Sequence, residues 1–177
     1  MYARIIVPLD GSELSEEVLP YVRHLAETFE STVELVHAVQ AEDIPANLVA
    51  EIKQESTSHL ERIAGTFPPH LKPECIVVSG HAAEAIINAA DAQEGSLIVM
   101  ATHGYSGLQR WFLGSTAHKV VQAATSPVLL VPAGIEAGPD GKLAEFDKVI
   151  VPLDGSPLAE RILPYAVDLC KTLNMEL

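Results

Sequence analysis

The sequence predicts an α/β fold, an open five-stranded parallel sheet with helices on both faces. Three observations predict it. Short aliphatic runs alternate with amphipathic stretches from residue 4 to residue 131. The first run, Arg4 to Leu9, is continuously apolar after its arginine, the pattern of a strand buried on both faces. Asp10-Gly11-Ser12 then supplies the turn chemistry that joins a strand to a helix. Strands alternating with helices imply right-handed crossovers, and such sheets take ligands at the carboxyl ends of their strands, where the strand order reverses.

The elements follow in order. Ser12 is placed to cap a helix, with Glu13, Glu16 and Glu17 near its positive end. Leu14, Val18, Tyr21, Val22 and Leu25 recur at helical spacing, and Pro20 inside that stripe predicts a kink or an early stop. Strands are predicted at Thr32 to Val39, Cys75 to Val78, Leu97 to Ala101 and Val128 to Val131. Between them, helices are predicted at Ala46 to Phe67, Ala82 to Ala92 and Ser115 to Ala124.

Composition narrows the functional classes. Of the 177 residues, 48% are hydrophobic and 20% charged, the balance of a packed chain rather than a disordered one. Twenty-four acids against eleven Lys plus Arg give a net charge of −13. Tracking a polyphosphate backbone needs the opposite sign, so nucleic acid is not the expected partner. Cys75 and Cys170 stand far apart with no C-x-x-C pair, which argues against a thiolate metal site or a disulfide framework. No apolar run approaches the ~18 residues of a membrane span. A soluble, cytoplasmic protein is expected.

The chain also repeats its own beginning. Residues 4–29 recur as residues 148–173 at a constant offset of 144, with Ile6-Val-Pro-Leu-Asp-Gly-Ser12 unchanged as Ile150 to Ser156 and Leu19-Pro-Tyr21 unchanged as Leu163 to Tyr165. The Gly- and Pro-rich stretch before the second copy has no apolar period. The expected plan is a complete domain at 1–133, a linker at 134–147, and the first strand and helix of an incomplete second domain at 148–177. Val149 to Leu153 reads as a strand whose sheet neighbours are not in the sequence. It is expected to pair with another molecule's sheet or to be poorly ordered.

One loop carries the chemistry. After the fourth strand, Gly104 and Gly114 bracket nine residues, and Ser115-Thr116 begins a helix. Amides freed by glycines, together with the unpaired N–H groups of a helix start, make an anion site; turn-forming glycines and a capping serine fit the same spacing. Charge favours the anion. From Gly95 to Ile135 there is no Asp or Glu, and Arg110 and Lys119 are the only formal charges in those 41 residues. The chain has no G-x-x-x-x-G-K-[ST] and no G-x-G-x-x-G after a strand, and Leu108 breaks a G-x-S-x-G elbow at Gly104. At the end of the first strand, Asp10 either turns the strand–helix junction or accepts hydrogen bonds from a base or sugar. His37 reads as a hydrogen-bonded core histidine. His103 and His118 read as loop and helix-surface residues, and no acid–base pair in the loop would activate water.

Together, Val7-Pro-Leu-Asp-Gly-Ser12, Leu35-Val-His-Ala-Val39 and Met100-Ala-Thr-His-Gly104, followed by nine residues before Gly114-Ser-Thr116, resemble the universal stress protein family. The resemblance covers residues 2–133, and 146–177 resembles the start of a second such domain. It implies strand order 3-2-1-4-5, the adenine nucleotide alpha hydrolase-like arrangement, with ATP and a Mg²⁺ ion at the carboxyl edge. It further implies Pro8, Asp10 and Ala38 on the adenine side, Met100 and Ala101 near the ribose, and Gly104, Gly114, Ser115 and Thr116 at the phosphates. Ala101 stands where the family's nucleotide-binding branch has a glycine. A homodimer through the fifth strand, Val128 to Val131, is also implied. The function expected is an ATP-binding regulator in stress response, and the alternative is a dimerising interaction module of the same fold that binds no nucleotide. An ATP-cleaving enzyme of the related hydrolase type would need an S-G-G-x-D-S loop, of which only Asp10-Gly11-Ser12 is present.

Overall fold

The computed structural model describes residues 2–42, 44–102, 113–132 and 148–177. The chain forms two compact units, Tyr2–Glu136 and Ala137–Leu177. In the larger unit, β1 (Arg4–Pro8), β2 (Thr32–Val39), β3 (Glu74–Ser79), β4 (Ser96–Ala101) and β5 (Val128–Val131) make one parallel sheet in the order β3-β2-β1-β4-β5. Helices α1 (Glu13–Glu16), α2 (Leu19–Phe29) and α3 (Ala46–Ala64) follow β1 and β2, while α4 (Ala82–Asp91) and α5 (Ser115–Ala123) follow β3 and β4. The order reverses between β1 and β4, as the resemblance implied.

Strand parity sorts the core. The pairing register aligns Ile6 with Glu34 and Ile98, and Met100 with Leu130. Successive side chains point to opposite faces, so even-numbered residues of all five strands share one face. Ile6, Val36, Ile98 and Met100 of that face pack on Ala83, Ile86 and Ala90 of α4 and on Ala117 and Val120 of α5. The odd-numbered Ile5, Val7, Val33, Leu35 and Val99 are buried toward the opposite face, where α2 lies against β1 and β2 and α3 against β2 and β3.

Pro20 acts where the sequence placed it. The first helix stops after one turn, and α2 begins at Leu19 with the proline in its first turn, where a missing N–H breaks no hydrogen bond. α3 ends at Ala64, three residues before the predicted Phe67. The Phe67 amide then bonds to the Ala64 carbonyl in a turn that buries the ring. Beside that ring, the Arg23 guanidinium stacks 4.8 Å from its centroid and donates to Thr66 Oγ1 at 2.6 Å.

Cys75 is partly buried in β3. Burial holds its thiol above the ordinary range, and the Glu61 and Glu74 carboxylates push it further in the same direction. Its thiolate fraction near neutral pH is therefore small. At pH 8 it is expected to react with a thiol reagent more slowly than free cysteine, and at the free rate once the chain is unfolded in urea. Reaction of the folded chain at the free rate would contradict this.

The smaller unit repeats the local structure but not the strand. A 3₁₀ turn (Ala159–Ile162) leads into α6 (Leu163–Leu173), whose bounds match α2 at the offset of 144. Both helices close on a left-handed residue, Glu30 and Asn174, each at φ 54°. The same Asp-Gly-Ser turn recurs, with Gly11 at φ +84° and Gly155 at φ +80°, a region open to glycine. In this copy Ser156, first through its side chain and then its backbone N–H, holds the Asp154 carboxyl below its usual range. The predicted strand at Val149 to Leu153 is absent. Among the described residues this stretch has one isolated bridge beside it, Lys148 with Glu176, and Ile150 is 84% exposed where its counterpart Ile6 is fully buried. Helices and turns form from local bonds, whereas a strand needs neighbours.

Candidate functional site

The parity of the sheet sets the first wall of a cleft. Pro8, Ala38 and Met100 sit at the carboxyl ends of β1, β2 and β4 on the face shared with α4 and α5. The loop after β1 adds Leu9 and Asp10, and Ala101 and Thr102 continue from β4. Ala82 and Ile86 of α4 close one side, and Gly114 to Ala117 at the start of α5 close the other. The cleft so formed has a volume of about 260 Å³, near the lower end of small-ligand sites at ~300 Å³ and above. It lies at the strand-order reversal, the place such sheets offer to ligands.

Eight of the nine residues singled out in the sequence therefore line one cleft: Pro8, Asp10, Ala38, Met100, Ala101, Gly114, Ser115 and Thr116. The ninth, Gly104, lies outside the described residues, as do His103 and Arg110. Sequence reasoning missed Val36, Ala82, Ile86 and Ser15, which also line the cleft. The first three lie within a predicted strand and a predicted helix, and only the folded chain shows that they reach the cleft. Ser15 carried a weak signal, a polar residue one turn into an apolar stripe.

The α5 terminus decides what the cleft attracts. The Gly114 amide donates to the Thr102 carbonyl at 2.8 Å, which ties the helix start to the end of β4. That amide is thus committed within the chain. The next three, of Ser115, Thr116 and Ala117, open the helix and have no acceptor among the described residues; the intrahelical series begins with His118 N–H on Gly114 O at 2.9 Å. Among the described residues no side chain caps them, and the capping position itself is a glycine. Yet Gly114 has φ −57° and ψ 150°, close to the −86° and 150° of the serine that caps α1. Backbone conformation does not require a glycine here. A glycine at this position leaves the opening amides of α5 without a cap from their own N-cap side chain.

On the opposite wall, Asp10 turns back on its own loop. Its Oδ1 accepts from Ser12 N–H at 3.0 Å and from Ser12 Oγ at 2.6 Å. It is the one carboxylate among the described lining residues, and this side-chain oxygen is used by the turn. His37 lies outside the cleft lining; its Nδ1 donates to the Leu9 carbonyl at 2.8 Å and joins β2 to the β1 loop. His118 is exposed on α5. Among the described residues no group of three His, Cys, Asp or Glu side chains could hold a metal ion, and no helix is long and apolar enough to cross a membrane.

Comparison with known proteins places this arrangement. The family model for the universal stress protein family matches residues 1–132. Universal stress protein YxiE of Bacillus subtilis is 32% identical over 147 residues, an alignment covering 74% of this chain and 99% of that one. Among solved structures, MJ0577 of Methanocaldococcus jannaschii superposes with a TM-score of 0.66 at 27% identity, over 77% of this chain and 99% of its own. A universal stress protein crystallised in complex with cAMP superposes with a TM-score of 0.53 at 22% identity, over 75% and 98% of the two chains, a likeness of fold. The sheet order and flanking helices are those of the adenine nucleotide alpha hydrolase-like fold.

Proposed function

This chain belongs to the universal stress protein family, and from that premise we propose that it is a cytoplasmic, ATP-binding regulator in stress response, its bound nucleotide setting conformation or partner choice. The observation that carries the reading is the uncapped start of α5: three amides without an acceptor among the described residues, facing a cleft at the strand-order reversal. Helix N-termini attract anions through such amides and through a partial positive charge of roughly half a unit. The apolar wall of Pro8, Val36, Ala38, Ala82, Ile86 and Met100 suits a flat base. That a relative in fold was crystallised in complex with cAMP supports a nucleotide as the class of ligand. Gly104 would meet the phosphates from the loop outside the described residues.

Mg²⁺ fits this cleft as the companion of a triphosphate. Among the described residues the phosphate side offers the Ser115 and Thr116 hydroxyls and no cluster of carboxylates, and Mg²⁺ commonly keeps several waters and binds through the phosphates of its partner. Rapid turnover forms no part of the reading. Residues 148–177 we assign to the opening of a second domain of the same family, joined by a linker at 134–147, on the strength of the repeat and its reproduced helix.

Calorimetric titration with Mg-ATP tests the proposal. A saturable heat with one site per chain is expected, and nucleotide carried through purification should show as excess absorbance at 260 nm. No saturable heat at millimolar nucleotide would favour the second reading, a homodimerising module without nucleotide. One observation speaks for that alternative: β5 is an edge strand whose Val128, Leu129 and Leu130 are only partly buried, an open seam for pairing.

A further inference from the structure

The strand-one wall of the cleft is held by bonds that no motif predicts. Three backbone polar groups of Leu9 and Asp10 are committed to partners. Leu9 N–H donates to the Val36 carbonyl at 2.9 Å, the Leu9 carbonyl accepts from His37 Nδ1 at 2.8 Å, and Asp10 N–H donates to Ser15 Oγ at 3.3 Å. Ser15 Oγ in turn donates to the Ser12 carbonyl at 2.8 Å. Ser15 is 5% exposed and lines the cleft. Its hydroxyl therefore bridges both ends of the Asp10–Ser12 turn, so that Asp10 leaves β1 in one direction.

The chain supplies its own comparison. Asp, Gly and Ser of the turn are the same in both copies, but Ser15 becomes Ala159 in the second. That copy still forms its turn, with Ser156 N–H on Asp154 Oδ1 at 2.8 Å and Ala159 N–H on Ser156 Oγ at 3.1 Å. The turn and its cap thus do not need the hydroxyl. What the hydroxyl adds is the tie between the turn and the residue at the cleft rim.

We propose that Ser15 is a positioning residue that fixes the Pro8–Asp10 wall for the base and sugar of a bound adenine nucleotide, without touching its phosphates. The inference rests on the nucleotide reading and names which half of the ligand Ser15 serves. A wall free to move must be ordered when the ligand arrives, which weakens binding of the part that rests on it. The phosphates, held at the other wall by α5, are indifferent to it.

The full chain and its Ser15→Ala and Ser15→Thr variants are titrated with Mg-ATP and, separately, with magnesium tripolyphosphate, which has the phosphates and no nucleoside. Ser15→Ala is expected to weaken Mg-ATP about tenfold and to leave tripolyphosphate affinity within about twofold, a difference the loss of one net hydrogen bond supports. Ser15→Thr, which keeps the hydroxyl, is expected to restore Mg-ATP. A wild-type chain that binds neither ligand overturns the nucleotide reading and this inference with it. Wild-type binding with Mg-ATP unchanged in Ser15→Ala, with both ligands weakened alike, or with no rescue by threonine overturns this inference alone.

Discussion

Replacing Gly114 with aspartate is expected to raise the thermal stability of the chain by a few degrees while abolishing its binding of Mg-ATP. The two effects come from one place. Gly114 is the capping residue of α5, with backbone angles that suit any capping residue, and no side chain among the described residues caps the amides it precedes. An aspartate there can accept from the N–H of Thr116 or Ala117 and brings a negative charge to the positive end of the helix. Asp exceeds Gly at such positions by a few tenths of a kcal/mol, and the helix dipole adds ~0.3–1 kcal/mol. For a phosphate the same side chain is doubly unfavourable. It occupies the amides the phosphate would use, and its charge repels at ~4 kcal/mol for unit charges ~4 Å apart at an effective dielectric of ~20. A loss of Mg-ATP affinity beyond about a hundredfold follows. Gly114→Asn separates the causes, since it caps without charge and is expected to stabilise similarly while losing less affinity. Thermal melts and titrations of the three chains are the measurement. Unchanged Mg-ATP affinity in Gly114→Asp would remove α5 from the site and the proposed function with it.

Most substitutions of a ligand-contacting glycine confuse damage to the fold with damage to the site. Here the signs are expected to differ, because the glycine is a poor cap at a position whose backbone angles suit a good one. A local rule broken without a local reason commonly marks a functional position. The rule could be read from the sequence only in part. Gly114-Ser115 before a helical stripe was visible, but that the φ is negative, and so leaves the glycine unexplained by conformation, needed coordinates.

The rest of the molecule divides along the same line between local and distant causes. Thr32–Val39 and Val128–Val131 appear with the bounds their aliphatic runs predict, and α3, α4 and α5 begin at the residues their patterns predict. These elements are decided by side-chain periodicity and turn residues within a few positions of one another. β1 ends one residue early, at Pro8, because His37 captures the Leu9 carbonyl from a strand 28 residues away. Ser15 carries only a weak signal for the same reason: a serine in a helix does not say that its hydroxyl holds the residue five positions earlier. The second copy makes the point from the other side. Its helix and caps obey the local sequence, while Val149 to Leu153 carries a strand's sequence without a strand's neighbours and forms none among the described residues.

Arg4 is the position where a distant cause has the largest energetic consequence, and Arg4→Met is expected to destabilise the larger unit by ~3–5 kcal/mol. The sequence presents it as the charged residue ahead of an apolar run. In the fold it is 6% exposed, and its guanidinium joins four elements at the amino edge of the sheet. Nη1 donates to Glu34 Oε1 at 2.8 Å, Nη2 donates to the carbonyls of Ala89 and Ala90 at the end of α4, and Nε and Nη2 both reach Ser96 Oγ, at 3.3 and 3.0 Å. Methionine fills much of the volume but strands a carboxylate that is itself nearly buried and removes the arginine donor from the Ala89 carbonyl, while Ala90 keeps its bond from Ser96 Oγ at 2.9 Å. Glu34→Gln is expected to cost less, about 1–2 kcal/mol, since the arginine keeps its carbonyl and hydroxyl acceptors. The counterpart in the repeat, Lys148, pairs with Glu176 Oε2 at 3.2 Å in the open, and Lys148→Met is expected to change stability by less than about 1 kcal/mol. Urea unfolding followed by far-UV circular dichroism checks all three. An Arg4→Met chain within about 1 kcal/mol of wild type would mean that the buried network contributes no more than an exposed pair, and that the amino edge of the sheet is held by its apolar contacts alone.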